Sequence, residues 1–410
     1  MPYIQRAITP ILKQRVSTSK CMLLVGARQV GKSTLIKHEF KDFNRANFDD
    51  RLTRMQAKEE PKLFFLNNPK PLFIDEVQKE SSILEDIKQI VDESDERGMF
   101  ILSGSQKLEL MKGMSESLAG RVSISELTGL SMREIYGVKF NRHFIPTDAY
   151  IKEREKEIVK YDNIWEIIHK GSYPELYDID RDWQEYYSSY VATYLERDIN
   201  ELVAADGITF TKFLTAVAAR TGELLNYSNI AGDVGVSEPT IKNWISILER
   251  TGIVYLLQPY SASALKRAIK TPKLYFRDTG LACYLTRWLT ADTLKCSAVA
   301  GNMFETFVVS EILKSYSNEG KDYRFNIFYY RGKDRNASGE NEIDLVIEED
   351  GVLYPVEIKM SGNPKASMGA TNQVLDKVSD KKRGLGVILC LIDKKTYLRE
   401  NLVALPIEFI

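Results

Sequence analysis

The sequence predicts a multidomain α/β protein in which a parallel-sheet domain comes first, a mostly helical middle follows, and a second α/β domain ends the chain. Three observations favour this class. Residues 1–130 alternate short apolar runs with helical periods, as the strands and helices of a parallel sheet do. Helical patterns dominate residues 131–290, and residues 291–410 contain a helix followed by alternating runs. We therefore predict three domains with boundaries near these positions.

The composition of the chain indicates its type of partner and its cellular location. The chain has 410 residues, and its 56 basic and 57 acidic side chains give a net charge of −1. This balance does not indicate a polyanionic partner for the chain as a whole. The sequence shows neither a secretory leader nor an apolar run of about 18 residues, so we expect a cytoplasmic protein without membrane contact. The four cysteines lack metal-ligand spacing, which argues against structural zinc.

A phosphate-binding motif lies near the N-terminus. Residues 26–33 match the pattern G-x-x-x-x-G-K-[ST] and lie between an apolar strand and a helix. The glycines let backbone amides surround phosphate groups, and the helix adds the positive end of its dipole. We expect Lys32 to reach the β- and γ-phosphates of ATP, and the Ser33 hydroxyl to bind Mg²⁺. The predicted nucleotide-binding residues are Gly26, Ala27, Arg28, Gln29, Val30, Gly31, Lys32, Ser33 and Thr34.

Two later strands end in polar side chains that suit the same site. One apolar run leads into Asp75 and Glu76, and the run 100–102 leads into residues 103–106. An apolar strand that ends in two carboxylates is costly unless a cation or water holds them. We therefore expect Asp75 to bind Mg²⁺, Glu76 to orient or deprotonate the attacking water, and Ser103 to contact the γ-phosphate or that water. The alternative is three buried strands with ordinary polar ends.

Segments 26–33, 74–78, 102–105 and 118–121 together resemble the AAA-14 type of P-loop ATPase. This prokaryotic type is usually followed by a domain named DUF4143. The resemblance implies an AAA-like P-loop fold, with ATP and Mg²⁺ as cofactors and ATP hydrolysis as the activity. Because AAA-like ATPases often act as rings, it also allows a homo-oligomer.

Arg121 belongs to a Leu-Ala-Gly-Arg signature in this resemblance. An arginine at such a site could stabilise charge in the transition state, either in cis or across a subunit boundary. It could equally pair with a carboxylate within its own domain. The sequence leaves these alternatives open.

Residues 222–260 predict a winged helix. Ser237 is the expected N-cap of its second helix, and Gly252 is the expected stop before a strand. The segment has four acidic side chains against two basic ones, whereas duplex binding requires neutralised phosphates. We therefore expect this element to pack or to contact protein. A protein partner on the acidic middle region is expected as well, because residues 131–260 carry 20 acidic and 14 basic side chains.

Two carboxylates and an amine converge on a predicted hairpin near the C-terminus. Asp344 and Glu357 lie on two strands joined by a tight turn at Asp350-Gly351, and strand pairing brings them side by side. Lys359 points to the same face as Glu357, because strand side chains alternate. Such a group can bind Mg²⁺, generate hydroxide and stabilise the charge that develops during phosphodiester hydrolysis.

The hairpin pattern resembles the PD-(D/E)xK nuclease superfamily, which implies a restriction-endonuclease-like domain over residues 291–410. In this resemblance, Glu305 on the preceding helix joins Asp344 and Glu357 as a metal ligand. Glu357 and Lys359 take part in catalysis. Three earlier segments also resemble parts of DUF4143, namely residues 171–175, 194–198 and 273–281.

Some features of this region fit the superfamily less closely or have a simpler explanation. Gln373 matches a later helix position of the superfamily, but Ile343 stands where the superfamily name has proline. Charged residues of a hairpin often pair with each other on a solvated face. Nearby Arg331, Lys333 and Arg335 could follow a nucleic-acid backbone, or belong to a polar loop.

The motifs together predict a Mg²⁺-dependent ATP-binding protein, an ATPase whose nucleotide state controls a nuclease-like domain that acts on DNA or RNA. The γ-phosphate and its metal would hold one arrangement of the chain, and hydrolysis would release it. The alternative belongs to a different class. In it, the chain is a nucleotide-dependent protein-interaction switch that retains a catalytically inactive nuclease-like scaffold.

Overall fold

The computed structural model has a five-stranded parallel sheet near the N-terminus, as the sequence predicts. Its strands are β1 (Cys21–Val25), β2 (Asn44–Asn47), β3 (Leu72–Asp75), β4 (Phe100–Gly104) and β5 (Val122–Glu126). They lie in the order β2-β3-β4-β1-β5, so β4 is central and β1 lies between β4 and β5. The residues that the structure describes are 3–104, 118–178, 181–199, 206–261, 271–333, 340–378 and 380–410.

Helices cover both faces of this sheet, because its parallel strands need crossover connections. They are α1 (Thr9–Thr18), α2 (Lys32–Glu39), α3 (Arg51–Glu59), α4 (Pro61–Asn67) and α5 (Ile83–Asp92), with a 3₁₀ turn at Val77–Glu80. On one face, Cys21 and Leu23 of β1 pack in a cluster with Ile87 of α5. On the other face, Leu24 joins Leu35 of α2 in a much larger cluster. The alternation along β1 therefore divides the first domain into two apolar layers.

The middle of the chain begins with short helices. They are α6 (Met132–Ile135), α7 (Asp148–Arg154), α8 (Ile164–Lys170), α9 (Glu175–Asp178) and α10 (Trp183–Tyr190), with a 3₁₀ turn at Glu155–Glu157. A π-helix at Val191–Ile199 continues directly from α10. Helical structure thus dominates this region, as the sequence predicts.

A small antiparallel sheet follows within a set of longer helices. The elements are α11 (Gly207–Ala218), β6 (Glu223–Leu224), α12 (Tyr227–Val234), α13 (Glu238–Arg250), β7 (Val254–Leu257) and β8 (Lys273–Phe276). Ser237 caps α13 by accepting a hydrogen bond from the amide of Thr240, and Gly252 adopts a φ of 79° after the helix ends. Strand β8 lies beyond the expected 222–260 segment, because it pairs with both β6 and β7 and completes the sheet.

The C-terminal part is a mixed sheet preceded by helices. The helices are α14 (Thr279–Leu285), α15 (Ala291–Lys295) and α16 (Ala300–Asn318), with 3₁₀ turns at Tyr323–Phe325, Ala366–Lys377 and Ile407–Phe409. The strands are β9 (Ile327–Lys333), β10 (Glu340–Glu349), β11 (Val352–Lys359), β12 (Lys382–Arg383), β13 (Gly386–Cys390), β14 (Thr396–Arg399) and β15 (Leu402–Pro406). The order is β14-β15-β13-β11-β10-β9, and β12 pairs with β11. Within the described ranges, no helix is long and apolar enough to cross a bilayer.

The predicted turn between β10 and β11 is present. Asp350 and Gly351 adopt φ values of 49° and 78°, and the residues that flank them, Glu349 and Val352, are paired. Two successive positive φ angles are what a two-residue hairpin turn requires. This turn fixes the register of the strands that carry the C-terminal carboxylates.

One continuous apolar core joins the three parts of the chain. It contains Leu24 of the first sheet, Phe213 and Trp244 of the middle helices, Ile312 of α16 and Leu389 of the C-terminal sheet. Burial of apolar surface is the main favourable contribution to folding. Packing between the three parts therefore positions them relative to one another.

A buried carboxylate ties the middle helices together. Asp278, which precedes α14, accepts hydrogen bonds from the amide and hydroxyl of Ser172, at 2.6 and 2.8 Å. It also accepts from the Tyr187 hydroxyl and the Leu281 amide, both at 2.7 Å. Gly171 makes this approach possible, because a Cβ at that position would lie 2.2 Å from the Tyr187 hydroxyl oxygen. The four donors satisfy the buried carboxylate.

We expect Asp278→Ala to lower the free energy of unfolding by about 2–4 kcal/mol, because it leaves several buried donors without an acceptor. Asp292→Ala is the matched control, since Asp292 is an exposed acid on α15. We expect a change within about 0.5 kcal/mol for that control. Urea denaturation followed by circular dichroism measures both, and equal midpoints for the two variants would contradict the assigned role of Asp278.

Candidate nucleotide site and C-terminal acidic centre

The loop between β1 and α2 depends on glycine at two positions. Gly26 lies so close to the segment after β5 that a Cβ would be 2.2 Å from the carbonyl oxygen of Leu127. Gly31 forms the N-cap of α2 with a φ of 94°, and Gln29 also has a positive φ, of 63°. A glycine-containing loop that leads into the amino end of a helix is the arrangement that binds phosphate groups.

Lys32, the first residue of α2, is a buried cation that faces back into this loop. Its Nζ donates hydrogen bonds to the carbonyl oxygens of Gly26 and Ala27, at 3.0 and 2.9 Å. Burial lowers the pKa of Lys32 to about 8, although the carboxylates of Glu76 and Asp75 oppose this change. The structure therefore brings the lysine of the motif close enough to Asp75, the last residue of β3, and to Glu76, which follows it, for their charges to act on one another.

Asp75 and Glu76 occupy the edge of the sheet at which β1 ends. Asp75 is buried, and its Oδ1 accepts hydrogen bonds from the Ser103 hydroxyl and from the Glu76 amide. Glu76 has a φ of 53° and accepts a hydrogen bond from Gln78. Ser103 therefore holds Asp75, which is a different contact from the γ-phosphate or water contact that we expected of it.

An open cleft of about 530 Å³ adjoins the loop. Gln29, Lys32, Ser33, Thr34 and Glu76 line it from the first domain. The cleft has the size of a ligand pocket, and Ser33 and Asp75 supply oxygen atoms of the kind that Mg²⁺ prefers. The residues present therefore fit both a nucleotide and its metal ion. The cleft is also lined by Arg28 and Gly31 of the loop, by Tyr3, Ile4, Arg6 and Leu130 elsewhere in the first domain, and by Pro174, Glu175 and Asp178 of the middle region.

The middle region contacts the loop through two tyrosines of one continuous helical stretch. The Tyr186 hydroxyl donates a hydrogen bond of 2.8 Å to the side-chain oxygen of Gln29. The Arg28 guanidinium lies 5.6 Å from the centre of the Tyr194 ring. Sequence reasoning missed both contacts, because Tyr186 is one of several tyrosines at helical spacing and no local pattern distinguishes it.

Arg121 lies at the opposite end of the sheet from the loop. It directly precedes β5, whose first residue pairs with Cys21, the first residue of β1. Its guanidinium pairs with Asp92 and donates a 3.1 Å hydrogen bond to the carbonyl oxygen of Ala119. Of the alternatives, the structure agrees with pairing inside the domain and not with a role in cis. A role in hydrolysis would require a neighbouring copy of the chain.

The C-terminal hairpin brings Asp344, Glu357 and Lys359 together. Lys359 Nζ lies 2.8 Å from Asp344 Oδ2 and 2.8 Å from Glu357 Oε2. The amide of Ile358 also donates a 2.8 Å hydrogen bond to Asp344 Oδ2. Burial and the neighbouring Asp344 raise the pKa of Glu357, although Lys359 opposes this change. The convergence that we expected from the strand pattern is present.

Glu305 of α16 contacts residues of β8. Its Oε1 lies 3.2 Å from Lys273 Nζ and accepts a 2.6 Å hydrogen bond from the Tyr275 hydroxyl. Lys273 Nζ also lies 2.6 Å from Glu342 Oε1. Burial lowers the pKa of Lys273, but Glu305, Asp344 and Glu342 outweigh burial and raise it overall. Sequence reasoning missed Lys273 and Glu342, which lie outside the D…E-x-K pattern.

Two lysines therefore lie between the acids of the C-terminal centre. Lys273 contacts Glu305 and Glu342, and Lys359 contacts Asp344 and Glu357. Among the described residues, no group of three or more acidic, histidine or cysteine side chains is arranged to hold a metal ion. Glu305, Asp344 and Glu357 as ligands of one cation therefore stay a prediction.

Several other predicted positions have simpler surroundings. Gln373 is exposed, and its neighbour Asn372 is the buried residue of that segment. Arg331 of β9 is half-buried, and it lies opposite Glu342 of β10 in the register of the two strands. Two predicted sets fall outside the described residues, namely residues 105–106 and Arg335, and the side chain of Lys333 is outside them as well.

Comparison with protein-family models assigns three segments. Residues 18–136 match an AAA domain, and residues 300–410 match a domain of unknown function, DUF4143. The predicted resemblance is confirmed. The first domain is an AAA-like α/β domain of the nucleotide-binding ATPase type. One attribution was wrong, because residues 161–292, which contain the three earlier segments assigned to DUF4143, match a separate domain of unknown function, DUF8612.

Two mycobacterial proteins are similar over most of their length. Uncharacterized protein Rv2008c of Mycobacterium tuberculosis and uncharacterized protein Mb2031c of Mycobacterium bovis are each 27% identical over 375 residues. The match covers 89% of this chain and 76% of each relative. The similarity therefore extends across all three family-model segments.

Two solved structures show weak similarity. A RuvB variant of Thermotoga maritima is 17% identical with a TM-score of 0.26, over 60% of this chain and 85% of that one. Drosophila ORC bound to DNA is 13% identical with a TM-score of 0.23, over 68% of this chain and 85% of that one. TM-scores this low carry no argument about the function of this chain.

We expect Tyr186→Phe to weaken ATP binding roughly 2- to 10-fold, because a hydrogen bond of this kind contributes about 0.5–1.5 kcal/mol. Titration with a fluorescent ATP analogue measures the affinity. Tyr190→Phe is the matched control, since its hydroxyl bonds to Tyr173 and lies one turn further along the same stretch. Identical affinities for Tyr186→Phe and the unaltered chain would show that the contact with Gln29 does not support the loop.

Proposed function

We propose that the first domain hydrolyses ATP with the help of Mg²⁺. Lys32 exchanges the carbonyl oxygens of Gly26 and Ala27 for oxygens of the β- and γ-phosphates, and backbone amides of residues 26–34 surround the phosphates. The observation that carries the proposal is the buried ammonium of Lys32, placed in a glycine-dependent loop within the electrostatic reach of two carboxylates.

The remaining residues of the site take separate roles in this proposal. Ser33 and Asp75 hold the metal ion, and the Ser103 hydroxyl keeps Asp75 in place. Glu76 orients the attacking water and accepts its proton. A bound Mg²⁺ supplies positive charge that offsets the negative charge developing on the phosphate oxygens.

Two substitutions test the assignment, with ATP binding and phosphate release measured separately. We expect Lys32→Ala to abolish binding or turnover, because it removes the cation that faces the phosphates. We expect Glu76→Gln to keep ATP binding and to lower turnover by at least about 100-fold, as loss of a general base does. Lys37→Ala is the control, because Lys37 is exposed on the same helix. Full turnover by Glu76→Gln would remove Glu76 from its role.

We further propose that the chain has three domains, residues 1–130, 131–290 and 291–410, and that the middle one contains a winged helix. The support is the order of α11, β6, α12, α13, β7 and β8, with a three-stranded antiparallel sheet. The third would be restriction-endonuclease-like. Its support is α16 followed by an antiparallel trio, β9 to β11, and then by the parallel strand β13.

In this proposal the nucleotide state of the first domain controls the C-terminal centre, which cuts DNA or RNA with a metal ion. Asp344, Glu357 and Glu305 would bind the cation, and Lys359 would stabilise charge on the phosphate. A second candidate is an interaction switch with an inactive scaffold, in which a protein binds the acidic middle. The observation that favours it is that Lys273 and Lys359 already neutralise several of these acids.

Cleavage assays separate the two candidates. Plasmid and single-stranded DNA are incubated with the purified chain and Mg²⁺ or Mn²⁺, with and without ATP. The nuclease proposal predicts metal-dependent cleavage that Glu357→Gln lowers by at least about 100-fold, whereas Glu348→Gln, an acid beside the hairpin turn, leaves it unchanged. Cleavage that survives Glu357→Gln would indicate a contaminant, and no cleavage under any condition would favour the scaffold.

A further inference from the structure

Strand β8 and the residue after it contact two different parts of the chain. Lys273 and Tyr275, which share one face of β8, contact Glu305 of the C-terminal part, at 3.2 and 2.6 Å. Arg277, which directly follows β8, lies 3.0 Å from Glu126 of the first domain. One short segment of the middle region therefore contacts both functional ends of the chain.

Lys273 acts as a cation supplied to the C-terminal centre from outside it. The residue is only 4% exposed, and its Nζ lies between Oε1 of Glu305 and Oε1 of Glu342. Both acids belong to the segment that matches DUF4143, whereas Lys273 belongs to the segment that matches DUF8612. The charge that balances these acids therefore comes from a different domain.

The centre also contains an oxygen that no donor satisfies. Glu357 is 4% exposed, and its Oε1 has no hydrogen-bond partner within the part of the chain that the structure describes. Its other oxygen contacts Lys359, which also contacts Asp344. A buried carboxylate oxygen without a donor is costly, and a cation is one group that satisfies it.

The other end of β8 lies beside the phosphate-binding loop. Glu126 pairs in register with Val25, the residue before Gly26. The amide of Arg277 donates a 3.0 Å hydrogen bond to the carbonyl oxygen of Ile253. Its neighbour Gly252 lies close enough to the loop that a Cβ there would be 3.6 Å from the Ala27 amide nitrogen. A shift of the loop around a nucleotide would therefore reach β8 directly.

We propose that Lys273 is an internal cation that closes the C-terminal acidic centre to divalent metal ions, and that the Glu126–Arg277 pair holds β8 in this closed position. The inference rests on the proposed metal-dependent function of the centre and describes its regulation. Nucleotide binding at the loop loosens the Glu126–Arg277 pair, β8 withdraws Lys273, and Glu305, Glu342, Asp344 and Glu357 become available to a cation.

A Mn²⁺ titration of the full chain, followed by electron paramagnetic resonance, tests the closing role. All proteins carry Asp75→Asn and no nucleotide is added, so the phosphate site does not contribute. We expect Lys273→Met to bind Mn²⁺ at least ten-fold more tightly than the protein with Lys273. Lys295→Met is the matched control, because it removes the same charge at an exposed position of α15. Its affinity should stay within about two-fold of the parent.

A second variant tests the holding role without touching Lys273. We expect Glu126→Gln to bind Mn²⁺ several-fold more tightly, because it weakens the pair with Arg277, and this result stands even where Lys273→Met fails to fold. Lys273→Met binding no more tightly than its parent would overturn the closing role, and an unchanged Glu126→Gln would overturn the holding role. If the parent binds as tightly as Lys273→Met, this inference alone fails. If no variant binds Mn²⁺, the proposed metal-dependent centre fails with it.

Discussion

The ammonium of Lys32 is the charge around which the first domain is arranged. A buried cation is stable only where carbonyl oxygens or carboxylates surround it, and this one has both kinds of neighbour. The glycines bring the carbonyl oxygens close, and β3 ends in the carboxylates at the same sheet edge. The carbonyl oxygens of Gly26 and Ala27 carry no net charge, so the Lys32 ammonium can exchange them for the charged oxygens of a phosphate group.

The loop is held both from within the first domain and from the middle region. Arg6, which precedes α1, donates to the carbonyl oxygen of Val30 at 2.8 Å and to that of Thr128 at 2.7 Å. Tyr186 holds Gln29 from the other side. The middle helices share one apolar core with the C-terminal sheet. Because close-packed interiors transmit displacements, a movement of the loop would reach that sheet through the core.

Local patterns predicted the features that depend on neighbours in sequence. The motif around Lys32, the acids after β3, the cap at Ser237 and the turn at Asp350 each combine residue types with fixed spacing, and the structure has all of them. Contacts between distant segments could not be predicted in this way. Lys273 meets acids 32 and 69 positions later, and no spacing rule relates them.

The ion-pair and hydrogen-bond partners of individual side chains could not be predicted from the sequence either. The sequence indicated an arginine in a signature, but its partner Asp92 lies 29 positions earlier at the end of α5, and only tertiary packing brings the two side chains together. Likewise, Ser103 had the right residue type for a phosphate site, and its actual acceptor is Asp75. Residue type gives the chemistry that is available, whereas tertiary packing determines which partner uses it.

A structure of the chain with a non-hydrolysable ATP analogue and Mn²⁺ tests the central claim most directly. The account predicts that Lys32 Nζ leaves the carbonyl oxygens of Gly26 and Ala27 for the β- and γ-phosphates, with Mn²⁺ between the Ser33 hydroxyl and Asp75. A structure in which Lys32 keeps both carbonyl contacts at saturating analogue, with the nucleotide elsewhere or unbound, would contradict it.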